Sequence, residues 1–185
     1  MHPMTVSNLE SAFAGESQAH MRYLSFADKA DKADKDGFPN IARLFRAISW
    51  AEQIHATSHF MVLRGEKGPA LTVAGSAFGL GPTAENLSAA IEGEKFEVNE
   101  MYPAYKNVAV MQEEKAAVRS LDWAGKAEET HAALYKEAKA SVEAGKDYDI
   151  GTVSVCARCG HTLTGDAPNR CPICEASKAS YRTFD

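Results

Sequence analysis

Two Glu-x-x-His segments, Glu52-Gln53-Ile54-His55 and Glu128-Glu129-Thr130-His131, each follow a single upstream glutamate, Glu16 and Glu94. Residues three apart on a helix share a face, so each segment can offer a carboxylate oxygen and an imidazole nitrogen to one metal region. Glu97 adds a further carboxylate beside Glu94. Two such pairs and two single glutamates, each on its own helix, form the donor set of a di-iron carboxylate centre. Oxygen and imidazole donors with open positions suit iron or manganese better than zinc. A second pattern closes the chain: Cys156-Ala157-Arg158-Cys159 and Cys171-Pro172-Ile173-Cys174, two pairs eleven residues apart. Four thiolates at this spacing bind one tetrahedral metal, and spacing alone admits either zinc or iron.

The carboxylates matter because of where the sequence puts them. Glu16, Glu52, His55, Glu94, Glu128 and His131 all lie on apolar stripes, so folding carries them inside. Desolvating a free carboxylate costs several kcal/mol, and mutual repulsion adds to it. Two iron ions, jointly about +4 to +6, would balance five buried carboxylates. His2, His20 and His59 are not assigned as ligands; His20 and His59 lie one turn beyond ligand candidates, backing the site or partly exposed.

Four helices must position these groups. Ser7-x-x-Glu10 resembles a capping box, and Leu9, Phe13, Glu16, His20, Tyr23 and Ala27 recur behind it at helical steps. The first helix is expected to stop in Asp36-Gly37-Phe38-Pro39, with Pro39 opening the second. There the stripe is Ile41, Leu44, Phe45, Ile48, Glu52, His55, His59 and Val62, ending near Gly65. Residues 65–82 hold Gly-Pro twice and form a long crossover, which suits a ferritin-like bundle. Thr83 or Asn86 starts the third helix, with Leu87, Ile91, Glu94, Val98, Met101, Tyr105 and Val108 inward and a kink at Pro103. The boundary with the fourth helix, near Gln112 to Lys115, carries neither Gly nor Pro. The fourth stripe is Val118, Leu121, Ala124, Glu128, His131, Tyr135 and Val142. Glu16 to Glu52 spans 36 residues and Glu94 to Glu128 spans 34, each half ending in Ala-Glu-x-x-His-Ala, so the bundle is expected to have a pseudo-twofold centre.

Composition bounds the rest. A hydrophobic fraction of 45% with 24% charged residues supports a packed core over 185 residues. Cysteines confined to the last thirty residues divide the chain into a bundle, residues 1–145, and a small β-rich four-cysteine domain, residues 151–185, with a strand at Val153 to Val155 and a linker at Gly145 to Gly151. The net charge of -5 arises from interspersed Lys and Glu, which argues against a nucleic-acid partner. Neither a signal peptide nor a membrane span is visible, so a cytoplasmic location is expected, and paired cysteines there read as a metal site. The sequence has no nucleotide-binding fingerprint for direct NADH binding.

Together these residues resemble the rubrerythrin family, ferritin-like bundles with a C-terminal rubredoxin-like domain. The resemblance rests on Phe13-Ala14-Gly15-Glu16-Ser17-Gln18, Ala51-Glu52-Gln53-Ile54-His55-Ala56, Thr83-Ala84-Glu85-Asn86-Leu87, Gly93-Glu94 with Glu97, Met101-Tyr102-Pro103 and Gly165-Asp166-Ala167-Pro168. It covers nearly the whole chain. It implies a di-iron centre, one iron on Cys156, Cys159, Cys171 and Cys174, and reduction of hydrogen peroxide to water. It implies bridging roles for Glu52 and Glu128 and terminal roles for Glu16, Glu94 and His131. Glu97 and His55 match a pair that exchange on one iron with redox state, and Tyr23 and Tyr102 match tyrosines that hydrogen-bond the carboxylates. Two positions depart from the family pattern: His161 stands where an aromatic is common, and Glu175 where a glycine is. Electrons are expected from a rubredoxin-type carrier or an NAD(P)H-dependent reductase. The competing readings are a ferroxidase and a non-enzymatic interaction module with a zinc ribbon.

The oligomer is expected to be at least a head-to-tail dimer. His131 lies eleven residues before Val142, so the fourth helix ends roughly 16 Å from the site. An own-chain route would require the linker to fold back, which points to a cysteine domain serving another subunit.

Overall fold

The computed structural model describes residues 1–31 and 37–185. Four long helical runs form the bundle: α1 (Pro3–Asp31), α2 (Pro39–Val62), α3 (Thr83–Phe96) continued by a π-turn (Glu97–Met101) and α4 (Tyr102–Met111), and α5 (Lys115–Glu143). A three-stranded antiparallel sheet follows, in the order β2-β1-β3, from β1 (Val153–Cys156), β2 (Thr162–Thr164) and β3 (Tyr181–Phe184). Helix α1 pairs with α2 and α3 with α5, the two halves of the internal repeat. The crossover, residues 66–82, joins them without regular structure.

Several boundaries have local causes. Helix α1 begins at Pro3 and not at the Ser7 capping box; proline suits the first turn, where its missing N–H costs no hydrogen bond. Asp36 of the expected stop lies outside the described residues; of those described, Phe38 donates its N–H to the Ala30 carbonyl. Pro39 opens α2 as expected. Between α4 and α5, Glu113 takes a left-handed φ of 57°, a role usually given to glycine.

The π-turn alters the expected stripe. Pro103 cannot donate to a carbonyl, and the chain accommodates it with one extra residue in the preceding turn, where the Tyr102 amide donates to the Glu97 carbonyl five residues back. The inward face shifts in phase: Glu97, Tyr102 and Ala109 are buried, while Val98, Tyr105 and Val108 are only half-buried.

Beyond the carboxylates the bundle closes on Tyr23, Phe26, Phe45 and Tyr135, with ring centroids 5.1 to 6.3 Å apart. Each ring is buried, and truncating Phe45 to Ala is expected to cost about 3–5 kcal/mol. That core continues into the C-terminal sheet through Ile150, Val153 and Val155.

The linker does fold back. Helix α2 has no capping side chain of its own at Phe38, and Asp147 supplies one: its carboxylate accepts from the amides of Asn40 at 2.9 Å and Ile41 at 3.3 Å. An acid at a helix N-terminus satisfies unpaired N–H groups and meets the positive end of the helix dipole. This anchors the linker at the start of α2 and lays β1 along the same helix.

Candidate metal centres

Helices α1, α2, α3 and α5 each bring one or two donors to a shared buried volume. Two groups of four have donor atoms within 4.8 Å of one another: Glu16, Glu52, His55 and Glu128, and Glu52, Glu94, Glu128 and His131. Glu52 and Glu128 belong to both, which is the arrangement two ions sharing bridging carboxylates require. Every member of both groups is buried.

Apart from His55 Nδ1, which meets Glu52 Oε2 at 3.1 Å, their atoms are close without satisfying one another. His131 Nδ1 lies 2.6 Å from Glu128 Oε2 and 3.3 Å from Glu52 Oε1, yet has no hydrogen-bond partner among the described residues. Glu16 Oε2, Glu52 Oε1, Glu94 Oε2 and both Glu128 oxygens are likewise buried without one. Buried polar atoms are almost always paired, so lone pairs that converge and miss each other mark a place for cations. The outer atoms, by contrast, are held. Tyr23 donates to Glu94 Oε1 at 2.6 Å and Tyr102 donates to Glu16 Oε1, leaving the second oxygen of each glutamate directed inward.

Without cations, protons balance the charge. Burial, followed by repulsion from neighbouring carboxylates, pushes Glu16 and Glu97 well above the carboxylate range and Glu94 up to about 8. Burial would lower both histidines, but Glu128 and Glu52 overcome it and bring His55 up to about 10. Metal ions compete with such protons for the same atoms.

Glu97 belongs to neither group of four. It is buried beside them on the π-turn, 8% exposed, and forms part of the lining of a cavity of about 430 Å³ with Arg22, Gln18 and crossover residues 73–77. His55 thus occupies a donor position and Glu97 a neighbouring one.

The four cysteines form the second centre. Cys156 Sγ is 3.6 Å from Cys174 Sγ and Cys159 Sγ 3.5 Å from Cys171 Sγ, and none is in a disulfide. A tetrahedron of 2.3 Å metal–sulfur bonds has edges of roughly 3.8 Å, so the thiols are spaced to hold one ion. Gly160 and Glu175 follow the two Cys-x-x-Cys turns with φ of 77° and 60°. Glu175 thus adopts the glycine conformation despite its side chain, and its amide donates to the Cys171 carbonyl. His161 Nδ1 meets the Tyr181 hydroxyl at 2.9 Å. Burial and the nearby His131 bring His161 down to about 4, so it packs as a neutral ring.

The centres touch within one chain. His55 Nε2 meets the Cys159 carbonyl at 3.1 Å, and His131 Nε2 meets the Gly160 carbonyl at 3.2 Å and Thr162 Oγ1 at 3.0 Å. Carbonyls accept only, so each Nε2 donates, which leaves each Nδ1, facing the carboxylates, as the nitrogen a metal would take in exchange for a proton. Trp123 of α5 packs against the cysteine cluster, with the Arg158 guanidinium 4.9 Å above its ring. The linker geometry therefore does not demand transfer to another subunit: this linker returns its own cysteine domain to its own histidines. The structure also adds Thr162 and the Cys159 and Gly160 carbonyls to the site, which no sequence spacing marks. His20 is half-buried, its Nδ1 against the Ser49 carbonyl, whereas His59 is wholly buried.

A ferritin-like bundle with paired carboxylate–histidine donor groups, fused to a tetrathiolate domain, defines a di-metal oxidoreductase class. The rubrerythrin family model matches residues 7–139, and the rubrerythrin rubredoxin-like domain model matches residues 155–182. Rubrerythrin-2 of Clostridium acetobutylicum is 42% identical over 98% of this chain and 97% of its own. Nigerythrin of Nitratidesulfovibrio vulgaris is 33% identical over 97% of this chain and 86% of its own. The structure of fully reduced, all-ferrous nigerythrin superimposes with a TM-score of 0.83 at 33% identity, covering 100% of this chain and 88% of that one. The chain belongs to the rubrerythrin family, and its two donor clusters fit a di-iron site and a rubredoxin-type iron site. No helix among the described residues is long and apolar enough to cross a membrane.

Proposed function

We propose that this protein is a non-haem di-iron peroxidase that reduces hydrogen peroxide to water in oxidative-stress defence, with electrons entering through the C-terminal iron-tetrathiolate centre. The observation that carries the reading is the sharing of Glu52 and Glu128 between two donor groups whose histidines lie against the cysteine domain. When bound, the iron pair supplies the two electrons that cleaving the peroxide O–O bond consumes. Glu52 and Glu128 would serve both ions, Glu16, Glu94 and His131 would each hold one, and Glu97 and His55 would exchange on one side with redox state. Tyr23 and Tyr102 fix the terminal glutamates. The cavity beside Glu97 admits a molecule as small as peroxide, with Arg22 and Gln18 at its wall.

Residues 1–145 and 151–185 act as one electron-transfer unit. Cys156, Cys159, Cys171 and Cys174 hold the entry iron, and the short step from the Cys159 carbonyl to His55 supports transfer within the chain. Electrons come from a rubredoxin-type carrier or an NAD(P)H-dependent reductase in the cytoplasm. Leu71 and Phe78 on the crossover are each 96% exposed, which supports assembly into at least a homodimer.

The test is anaerobic mixing of the reduced, iron-loaded protein with stoichiometric peroxide and, separately, with oxygen, following both chromophores. Oxidation is expected to be much faster with peroxide. Equal rates would replace the peroxidase reading with a ferroxidase.

A further inference from the structure

Behind Glu16, a continuous row of hydrogen bonds leads from the buried site to the surface. Tyr102 donates to Glu16; the Tyr102 hydroxyl is 3.1 Å from His59 Nε2; His59 Nδ1 is 2.9 Å from Ser120 Oγ; and Ser120 Oγ is 2.7 Å from Ser58 Oγ. Ser58 and Ser120 line an open pocket of about 780 Å³ whose wall includes Arg64 and Arg119. Tyr102 and His59 are buried, and Ser58 is half-buried at the pocket.

The direction of every bond follows from the first. The Tyr102 phenol has one proton and gives it to the Glu16 carboxylate, so its oxygen must accept from His59 Nε2–H. A neutral imidazole has one N–H, so Nδ1 must accept, and Ser120 must donate to it. Ser120 then accepts from Ser58. Burial, and after it the neighbouring His55, brings His59 down to about 3, which keeps it in the neutral form this logic needs. All donors point from the pocket toward Glu16.

We propose that Ser58, Ser120 and His59, passing through Tyr102, form a proton relay from this pocket to the Glu16 edge of the carboxylate site. The inference rests on the peroxidase reading. Reduction of one peroxide breaks the O–O bond, takes two electrons from the reduced iron pair and two protons, and yields two waters. The six ligands other than Glu97 are buried and line no part of the Glu97 cavity, so protons bound for the Glu16 edge need a path. A concerted shift takes up a proton at Ser58 and delivers one at Glu16, and no member changes its resting charge. Resetting requires the hydroxyls to rotate and the imidazole to exchange tautomers. His59 and Ser120 touch neither substrate nor metal and act through Tyr102.

The test compares His59→Gln, His59→Ala and Ser120→Ala with wild type, each loaded with iron and checked for metal content. Glutamine can keep the hydrogen bonds but cannot exchange tautomers. Single-turnover oxidation by peroxide is expected to slow by about a hundredfold in both His59 variants, with an altered solvent deuterium isotope effect. Added imidazole is expected to restore His59→Ala in part by entering from the pocket. Separately, ¹⁵N-histidine NMR of zinc-loaded protein should show His59 neutral with its proton on Nε2, and Ser120→Ala should shift Nδ1. Fully loaded variants within about twofold of the wild-type rate, with an unchanged isotope effect, would overturn the relay and leave the peroxidase intact. So would an Nδ1–H or cationic His59 in the NMR spectrum. A wild type inert to peroxide would instead remove the peroxidase reading itself.

Discussion

The two halves of the bundle repeat one ligand pattern and part company just after the first glutamate of each. Three residues after Glu94 stands Glu97; three after its counterpart Glu16 stands Ala19, also buried but without a charge. The tyrosines differ likewise: Tyr23 follows Glu16 by seven residues and Tyr102 follows Glu94 by eight, yet each reaches the opposite glutamate. The extra residue lies in the π-turn, which resets the helix so that both Glu97 and Tyr102 face inward. Symmetry thus builds a place for two ions, and the break in symmetry supplies the fifth carboxylate. The α1–α2 half is the plain copy, and the half containing α3 is the modified one.

The sharpest way to break that comparison is to remove what both halves share. Glu52→Ala or Glu128→Ala is expected to abolish di-iron binding, while Glu16→Ala or Glu94→Ala weakens one ion more than the other; metal analysis after gel filtration reads the difference. Glu97→Ala makes the halves alike. It is expected to keep both ions and lower the peroxide rate by about 10- to 100-fold, and full activity at full metal content would show the fifth carboxylate to be idle.

Proton balance gives a third test. In metal-free protein Glu94 is raised to about 8 and His55 to about 10. A group raised on folding stabilises most below its unfolded pKa and loses that contribution as pH climbs through its folded value. Between pH 6.5 and about 8 both contributions are being lost together. The Tm of chelator-stripped protein should therefore fall from pH 6 toward pH 10, and iron-loaded protein should fall much less; a stripped protein that gained stability over this range would contradict the proton-filled site.

Gly160→Ala tests the junction that caps both histidines. A Cβ there would lie 2.1 Å from His55 Nε2, on a backbone of φ 77°. Left-handed φ alone costs roughly 1–2 kcal/mol, so the variant should lose stability and slow electron arrival at the bundle while keeping tetrathiolate absorbance. The smallest effect is expected for Tyr23→Phe, which strands Glu94 Oε1 and should cost about 1–3 kcal/mol in thermal or urea unfolding. Tyr102→Phe should add a kinetic defect that Tyr23→Phe lacks.

Which parts were legible in the sequence follows from the range of the forces involved. Glu16, Glu52, His55, Glu94, Glu128 and His131 could be read because each rides an apolar stripe of uninterrupted helical period. Cys156 to Cys174 could be read because their spacing is local. The phase shift after Glu97 could not, since Val98, Tyr105 and Val108 fit a regular helix equally well on paper and only the bundle decides where Pro103 is absorbed. The return of the linker was hidden for a different reason: Asp147 looks like any loop acid until the bare N-terminus of α2 stands beside it. His59 reads as a second imidazole on an apolar face, and its role appears only once Ser120 and Tyr102 arrive from other helices.

Synthesis runs from the N-terminus, so the bundle leaves the ribosome before the turn that carries Cys159 and Gly160 exists. Until then the Nε2 atoms of His55 and His131 lack these acceptors, and either ring can present the wrong nitrogen to the interior. Docking of the later-made cysteine domain selects the nitrogen that both rings present, at once. Maturation of the bundle site is thereby tied to synthesis of the cysteine domain, and a product stopped before it would carry every bundle ligand without the partners that aim its histidines.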